Sequence, residues 1–314
     1  MTTSYEGRPL PRPEEEVVDQ GLRFDLDTLL SRRRVLGFLG LGAVGVGLAA
    51  CGGSSSSTTS AAAAAGSTAS STATSAGEIP EETAGPYPGD GSNGVDVLNE
   101  SGIVRSDIRS SFGSASGTAE GVPMTLTLTV QDLANGVPFE GAAVYVWHCD
   151  RAGGYSLYSE GITGENYLRG VQVADSDGAV TFTSIFPACY SGRWPHVHFE
   201  VYPDVDSITD SANAIATSQV ALLQDVCETV YATSGYEQSV RNLSQISLAT
   251  DNVFSDGADL QTPTITGDVS SGYTVAMGVG VDTTTAAGGG GSAGGGPGGG
   301  SGGGPGGGGQ PPGR

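Results

Sequence analysis

Met124-Thr125-Leu126-Thr127-Leu128-Thr129-Val130 alternates apolar residues with threonines. Successive side chains of an extended chain point to opposite faces, so the segment predicts a strand with its aliphatic residues buried and its threonines facing outward. Ala142 to His148, Val180 to Ser184 and His196 to Tyr202 repeat the enrichment in β-branched and aromatic residues. Ala134-Asn135-Gly136 and Asp175-Ser176-Asp177-Gly178 supply turns between them. The predicted fold is mainly β, an antiparallel β-sandwich. Gln219 to Ala232 has helical spacing (Val220, Leu223, Val226 or Cys227, Val230) and predicts a short helix after the sheets.

Outward from these strands the chain changes character. Ser31-Arg32-Arg33-Arg34-Val35-Leu36 is a twin-arginine pattern, and the uncharged run from Val35 to Ala50 is too short and glycine-rich for a comfortable membrane span. Residues 1–50 are therefore expected to form an export signal. Leu48-Ala49-Ala50-Cys51 resembles the lipobox of bacterial lipoproteins, which implies a lipidated Cys51 at the outer face of the cytoplasmic membrane. Twin-arginine export carries folded proteins and so suits a cofactor inserted beforehand. Residues 51–78, almost all Gly, Ser, Thr and Ala, read as a linker. Residues 285–314 repeat glycine with scattered proline, without the strict period of collagen, and read as a flexible tail. The folded domain is expected over residues 79–284.

Thirty-four acidic residues face 13 basic ones, all arginine, for a net charge of −21. Six of those arginines (Arg8, Arg12, Arg23, Arg32, Arg33, Arg34) precede Cys51, so little positive charge remains to neutralise a phosphate backbone. Nucleic acid is excluded as a partner on this ground.

His196 and His198 are two of only three histidines and sit one residue apart on a predicted strand, so both imidazoles face the same side. Val197 and Phe199 then point into the core. Paired same-face histidines indicate a metal site without naming the metal. A copper/zinc superoxide dismutase site would need several more histidines than the remaining His148 provides. A facial triad for Fe(II) stays open, because Glu200 shares the parity of the two histidines.

The residues just upstream sharpen the reading. Pro187-Ala188-Cys189-Tyr190 leads into Arg193-Trp194-Pro195-His196-Val197-His198, and Trp147 is followed eight residues later by Tyr155 in a glycine-rich turn. In these features, and in Tyr167-Leu168-Arg169-Gly170, Asp175 to Gly178, Phe182 and Ile185-Phe186-Pro187, the chain resembles the intradiol ring-cleavage dioxygenases over residues 82–232. The resemblance implies one ferric ion held by Tyr155, Tyr190, His196 and His198, with Tyr155 and His198 equatorial and Tyr190 and His196 axial. Phenolate is a hard anionic base whose free pKa of about 10 a highly charged metal readily overcomes.

The implied activity is cleavage of catechols between their hydroxyls by dioxygen, giving cis,cis-muconates. Tyr190 would leave the metal during turnover, Arg193 would stabilise negative charge on the ring, and Gln219 and Tyr87 would contact substrate. Thr83, Gly85, Pro86 and Tyr87 resemble the family's segment near the site entrance. Trp147 is read as core and His148 as structural or solvent-exposed.

Some features stand outside this pattern. Beyond Cys51 there remain Cys149, Cys189 and Cys227, from which one disulfide and one buried thiol are expected, with Cys189 paired to either partner. The Tyr190–His196 loop is shorter than in better-known intradiol enzymes, which implies a more open pocket. No counterpart of the helical dimerisation domain of catechol dioxygenases is apparent, so the oligomeric state is unconstrained. The competing reading is an exported β-sandwich that binds a metal or ligand without turnover.

Overall fold

The structure, a computed structural model, describes residues 77–284 and a short ladder pairing β1 (Ser4–Tyr5) with β2 (Arg8–Pro9). The twin-arginine leader, Cys51, the linker as far as residue 76 and the tail lie outside the described residues. The main body contains β3 (Pro123–Asp132), β4 (Val137–Pro138), β5 (Ala143–Trp147), β6 (Arg169–Val173), β7 (Ala179–Ile185), β8 (His196–Tyr202) and β9 (Ala216–Ala221). Helices α1 (Gln224–Tyr231) and α2 (Glu237–Leu243) follow, then β10 (Thr264–Asp268) and β11 (Gly272–Val281).

Two sheets form the predicted sandwich. One runs β10-β11-β3-β4, with β7 also paired to β3, and the other runs β6-β5-β8-β9. Burial along β3 alternates as its sequence predicts. Met124, Leu126, Leu128 and Val130 meet Val144, Val146, Val197, Phe199 and Val201 of the opposing sheet in a single apolar core. Burying a large side chain such as Phe199 stabilises by roughly 1.5–3 kcal/mol, and deleting it also leaves a cavity. Phe199→Ala is expected to cost about 3–5 kcal/mol, measured by urea unfolding.

The second sheet is buried on both faces, and that placement creates the site. Ala84, Val97, Leu98 and Ile103, from the segment before β3, cover its outer side together with Tyr145, Trp147 and Tyr202. All seven residues of β8 are buried, so its polar members must find partners inside the protein. Gly178 closes the predicted turn before β7 at φ 75°, with its α-carbon so near β3 that a β-carbon would lie 2.2 Å from the Val130 carbonyl oxygen.

The structure corrects three expectations. β3 and β11 pair in parallel, because the chain between them makes a long excursion through the second sheet and both helices and returns through the β10–β11 hairpin, which sets β11 in the direction of β3. The helix expected over 219–232 is split: Gln219 and Val220 belong to β9, whose pairing with β8 overrides the local helical spacing, and α1 starts only at Gln224. The disulfide does not form. Cys149, Cys189 and Cys227 are all free buried thiols; Cys149 donates to the Ala188 carbonyl (3.6 Å) and Cys189 to that of Arg193 (3.5 Å).

Candidate metal centre

The period of two along β8 brings His196 and His198 onto the outer face of the second sheet, with ring centroids 4.6 Å apart. Trp147, opposite on β5, stacks on His198 at 4.9 Å with only 3° between the rings and so fixes its orientation. Trp147 is fully buried, as expected of a core residue. Gly85 lets the covering segment close over the other side. Its φ is 71°, and a β-carbon there would lie 3.2 Å from His198 Cε1.

Two loops deliver the tyrosines. After β5, Asp150 accepts the backbone N–H groups of Ala152 and Gly154, forming a tight turn that presents Tyr155. The loop after β7 carries Tyr190 and is held by the helix that sequence spacing does not signal: from α2, Ser239 accepts the Cys189 N–H (3.0 Å) and Asn242 donates to the Cys189 carbonyl (2.8 Å). Tyr190 Oη lies 3.2 Å from His196 Nε2, and the rings of Tyr155 and Tyr190 meet edge to face at 5.8 Å. The structure thus brings Tyr155, Tyr190, His196 and His198 together.

The polar atoms of this cluster satisfy one another only in part. His196 Nδ1 contacts the Trp194 carbonyl, which can only accept, so the ring proton sits on Nδ1 and Nε2 offers a lone pair that accepts from Tyr190 Oη. That lone pair lies 3.0 Å from His198 Nε2, while His198 Nδ1 is buried without a partner. Either tautomer of His198 therefore leaves an unsatisfied nitrogen. The Tyr155 hydroxyl is likewise buried without a well-formed hydrogen bond. Two imidazoles and two phenols gathered in this way suit a hard cation, which would engage the Nε2 lone pairs and the phenol oxygens in place of these incomplete contacts. Among the described residues no group of three His, Cys, Asp or Glu side chains is placed to hold a metal.

Electrostatics point the same way. Burial first, then the nearby Arg193 charge, pushes His196 down to about 3. Burial and then the neighbouring His196 hold His198 well below the ordinary histidine value. Both imidazoles are therefore neutral at neutral pH, the form in which an imidazole can bind a metal. Burial raises Tyr155 well above its usual value and Tyr190 to about 12, so without a metal both phenols keep their protons.

Arg193 Nη2 donates to Gln219 Oε1 (2.7 Å), and its Nε donates to Asp251 Oδ2 (3.0 Å). Gln219 is fully buried on β9 and donates its amide N–H to the Thr83 carbonyl (2.9 Å), so both ends of its amide are engaged. Tyr87 packs at 5.0 Å on both Tyr155 and Tyr158. His148 is structural and buried, bound to the Cys149 carbonyl (2.8 Å) and Ser184 Oγ (2.7 Å).

Two further residues support the site in roles that the sequence does not announce. Asp251 is fully buried and lies far along the chain from Arg193. Arg169 is also fully buried and binds the carbonyls of Tyr87 (2.9 Å), Pro88 (2.8 Å) and Ser156 (3.0 Å), as well as Tyr145 Oη (3.0 Å). It thereby ties the Tyr87 segment to the Tyr155 loop. Its place in Tyr167-Leu168-Arg169-Gly170 is visible in the sequence, but its clamp is not.

Glu200 faces the same side as the histidines yet is turned away from them in its bonding. It accepts the Tyr202 hydroxyl (2.8 Å), and burial, with Asp90 second, raises its carboxyl to about 8. Because the folded value exceeds the unfolded one of about 4.3, its favourable contribution is complete at acid pH and is lost as pH rises through about 8. Glu200→Gln is expected to flatten the fall in Tm between about pH 5 and about pH 9 by several degrees, read by thermal unfolding.

Comparison with known proteins adds an independent line. The family model described as Dioxygenase matches residues 105–203. A chlorocatechol 1,2-dioxygenase of Rhodococcus opacus is 39% identical over 67 residues, which are 21% of this chain and 26% of that protein. A catechol 1,2-dioxygenase of Pseudomonas sp. (strain EST1001) is 39% identical over 71 residues, 23% of each chain. The chain thus spans about a quarter of the length of these curated relatives. Among solved structures, an intradiol ring-cleavage dioxygenase from Tetranychus urticae superposes with a TM-score of 0.51 at 24% identity, covering 66% of this chain and 96% of that one. That likeness concerns the fold.

Proposed function

We propose that this chain, whose residues 105–203 match the family model described as Dioxygenase and which is similar over part of its length to catechol and chlorocatechol 1,2-dioxygenases, is an intradiol ring-cleavage dioxygenase, a ferric enzyme that opens catechol rings between their two hydroxyl-bearing carbons. The observation that carries this reading is the convergence of two phenols, Tyr155 buried and Tyr190 partly exposed, on two neutral imidazoles: Tyr190 Oη (3.2 Å) and His198 Nε2 (3.0 Å) both face the one lone pair of His196 Nε2, and the Tyr155 hydroxyl and His198 Nδ1 are buried without a well-formed hydrogen bond. Tyr155, Tyr190, His196 and His198 would hold the ion. Bound there, iron(III) supplies the Lewis acidity that renders a bound catecholate reactive toward dioxygen, and both oxygen atoms enter a cis,cis-muconate-type product.

The chain's own residues set the conditions for that chemistry. Tyr155, His196 and His198 are almost completely buried whereas Tyr190 is partly exposed, so substrate approaches from the Tyr190 side. Tyr190, whose phenol burial pushes up to about 12, would hold a proton at its Oη wherever no metal engages that oxygen. Arg193 is a fixed cation beside the two histidines, placed to offset negative charge that develops on the ring. Gln219 holds Arg193 from one side, and Tyr87 walls the cavity against Tyr155.

The proposal includes the cellular setting. Residues 1–50 direct twin-arginine export, and a diacylated Cys51 anchors the enzyme to the membrane through the 51–78 linker, with residues 79–284 as the catalytic domain and 285–314 as a tail. Mass spectrometry of the membrane-extracted protein should show a lipid-modified Cys51 at its amino terminus; an unmodified residue there removes the anchor from the scheme.

The test of function is direct. Loading with ferric iron should release about two protons per ion, because both phenols must ionise, and should produce a broad visible tyrosinate band. Oxygen uptake with catechol should follow, with incorporation of both atoms. A colourless protein that binds iron without proton release, or consumes no oxygen with any of a panel of substituted catechols, would favour the non-catalytic binding alternative.

A further inference from the structure

Asp251 has no place in the ligand set, yet it is among the most completely committed side chains of the molecule. Its carboxylate is fully buried and accepts from two parts of one dipeptide: the Arg193 guanidinium (Nε to Oδ2, 3.0 Å; Nη2 to Oδ1, 3.4 Å) and the Trp194 backbone N–H (2.6 Å). Oδ1 also accepts the N–H groups of Val253 (2.8 Å) and Phe254 (3.1 Å), which anchor it in its own turn. The carbonyl of the same Trp194 receives the His196 Nδ1 proton, and the Phe254 ring packs edge-on to His196 at 6.5 Å.

We infer that Asp251 is a positioning residue that serves two functional groups at once, aiming the Arg193 cation into the site and orienting the Trp194 peptide that fixes the tautomer and direction of His196. A guanidinium held by a carboxylate and by Gln219 cannot swing out to solvent, and a peptide pinned at its N–H keeps its carbonyl directed at the imidazole. Burial opposes the carboxylate's charge, but the Arg193 charge and its hydrogen bonds outweigh that penalty and hold Asp251 below the usual aspartate range. The ion pair therefore stays formed across the neutral pH range, and the device is a rigid support rather than a switch. Removing such outer support around a metal site commonly costs 10–100-fold in affinity or activity.

The kinetic part of this inference rests on the dioxygenase reading, and the geometric part does not. Asp251→Asn in the full chain separates them. In the metal-free variant, isotope-edited NMR should show a loss of the single Nδ1–H tautomer of His196 and faster solvent exchange of the Arg193 Nε–H. In the iron-loaded variant, kcat on catechol should fall about 10–100-fold with KM changed less than about threefold, while the visible tyrosinate band persists. The wild-type protein supplies a measurement that does not depend on the variant folding: its Arg193 Nε–H and Trp194 N–H should both be strongly protected from exchange. Exchange of the wild-type Arg193 Nε–H at the rate of a surface arginine, or a folded variant with unchanged His196 and Arg193 signals, overturns the inference. Absence of turnover in wild-type iron protein would instead count against the dioxygenase reading and leave the NMR outcome to decide the positioning role.

Discussion

Replacing Tyr155 with phenylalanine should abolish most of the visible tyrosinate intensity contributed at that position and lower turnover by more than about 100-fold, while leaving the metal-free protein as stable as before or slightly more so. The two halves of this expectation have different origins. Loss of function follows because a ligand atom goes, and even outer-shell changes at metal sites cost up to about 100-fold. Preserved stability follows because the Tyr155 hydroxyl is buried without a well-formed hydrogen bond, so its removal relieves a desolvated polar group and leaves the ring packing intact. Urea unfolding of the metal-free variant should therefore show a change within about 0.5 kcal/mol or a gain. A large destabilisation would mean that the hydroxyl has a structural partner and is not held in reserve for a metal.

Arg193→Met should be damaging in a different way. The long apolar side chain fills much of the same volume but leaves Asp251 charged, fully buried and without its cation. Breaking a buried pair by removing one partner costs about 3–5 kcal/mol, so the variant should unfold at clearly lower denaturant. Because Asp251 is held below the usual aspartate range chiefly by Arg193, its carboxyl should titrate higher in the variant. In the wild type the depressed value gives stability that is present above the unfolded aspartate pKa of about 3.9 and lost as pH falls through the folded one; in the variant that support should vanish already at milder acidity. Turnover should drop about 100-fold or more with the iron band retained, since on the proposed reading the residue offsets developing charge and is not a ligand. An Arg193→Met protein with normal kcat would remove Arg193 from the chemistry.

Much of this architecture is legible in the chain because it rests on local rules. Alternation in Met124–Val130 predicts β3 and its buried face, and the single-residue spacing of His196 and His198 predicts their common side, because side-chain direction in a strand is fixed by parity. The turn at Gly178 and the structural role of His148 are readable for similar reasons. What escapes is decided by partners distant along the chain. Gln219 has neighbours with helical spacing, but pairing with β8 draws it into a strand. Helix α2 has no apolar stripe, since Val240 is exposed, and it exists to bracket the Tyr190 loop through Ser239 and Asn242. Asp251 and Arg169 are ordinary charged residues in sequence, and only the tertiary fold shows one gripping Arg193 and the other clamping the Tyr87 and Tyr155 segments together.

The cysteines illustrate the limit of reasoning from compartment. The expectation of export suggests a bridge among Cys149, Cys189 and Cys227, yet each of these thiols is free and buried, and burial raises Cys189 to about 12, far from the reactive thiolate range.

The central claim is that Tyr155, Tyr190, His196 and His198 share one ferric ion. Anomalous diffraction at the iron absorption edge, on crystals of the iron-loaded protein, tests it most directly. The account predicts one strong peak lying between the two phenol oxygens and the two Nε2 nitrogens at bonding distance from each. A peak elsewhere, or one bonded to the histidines with Tyr155 and Tyr190 both remote, would contradict it.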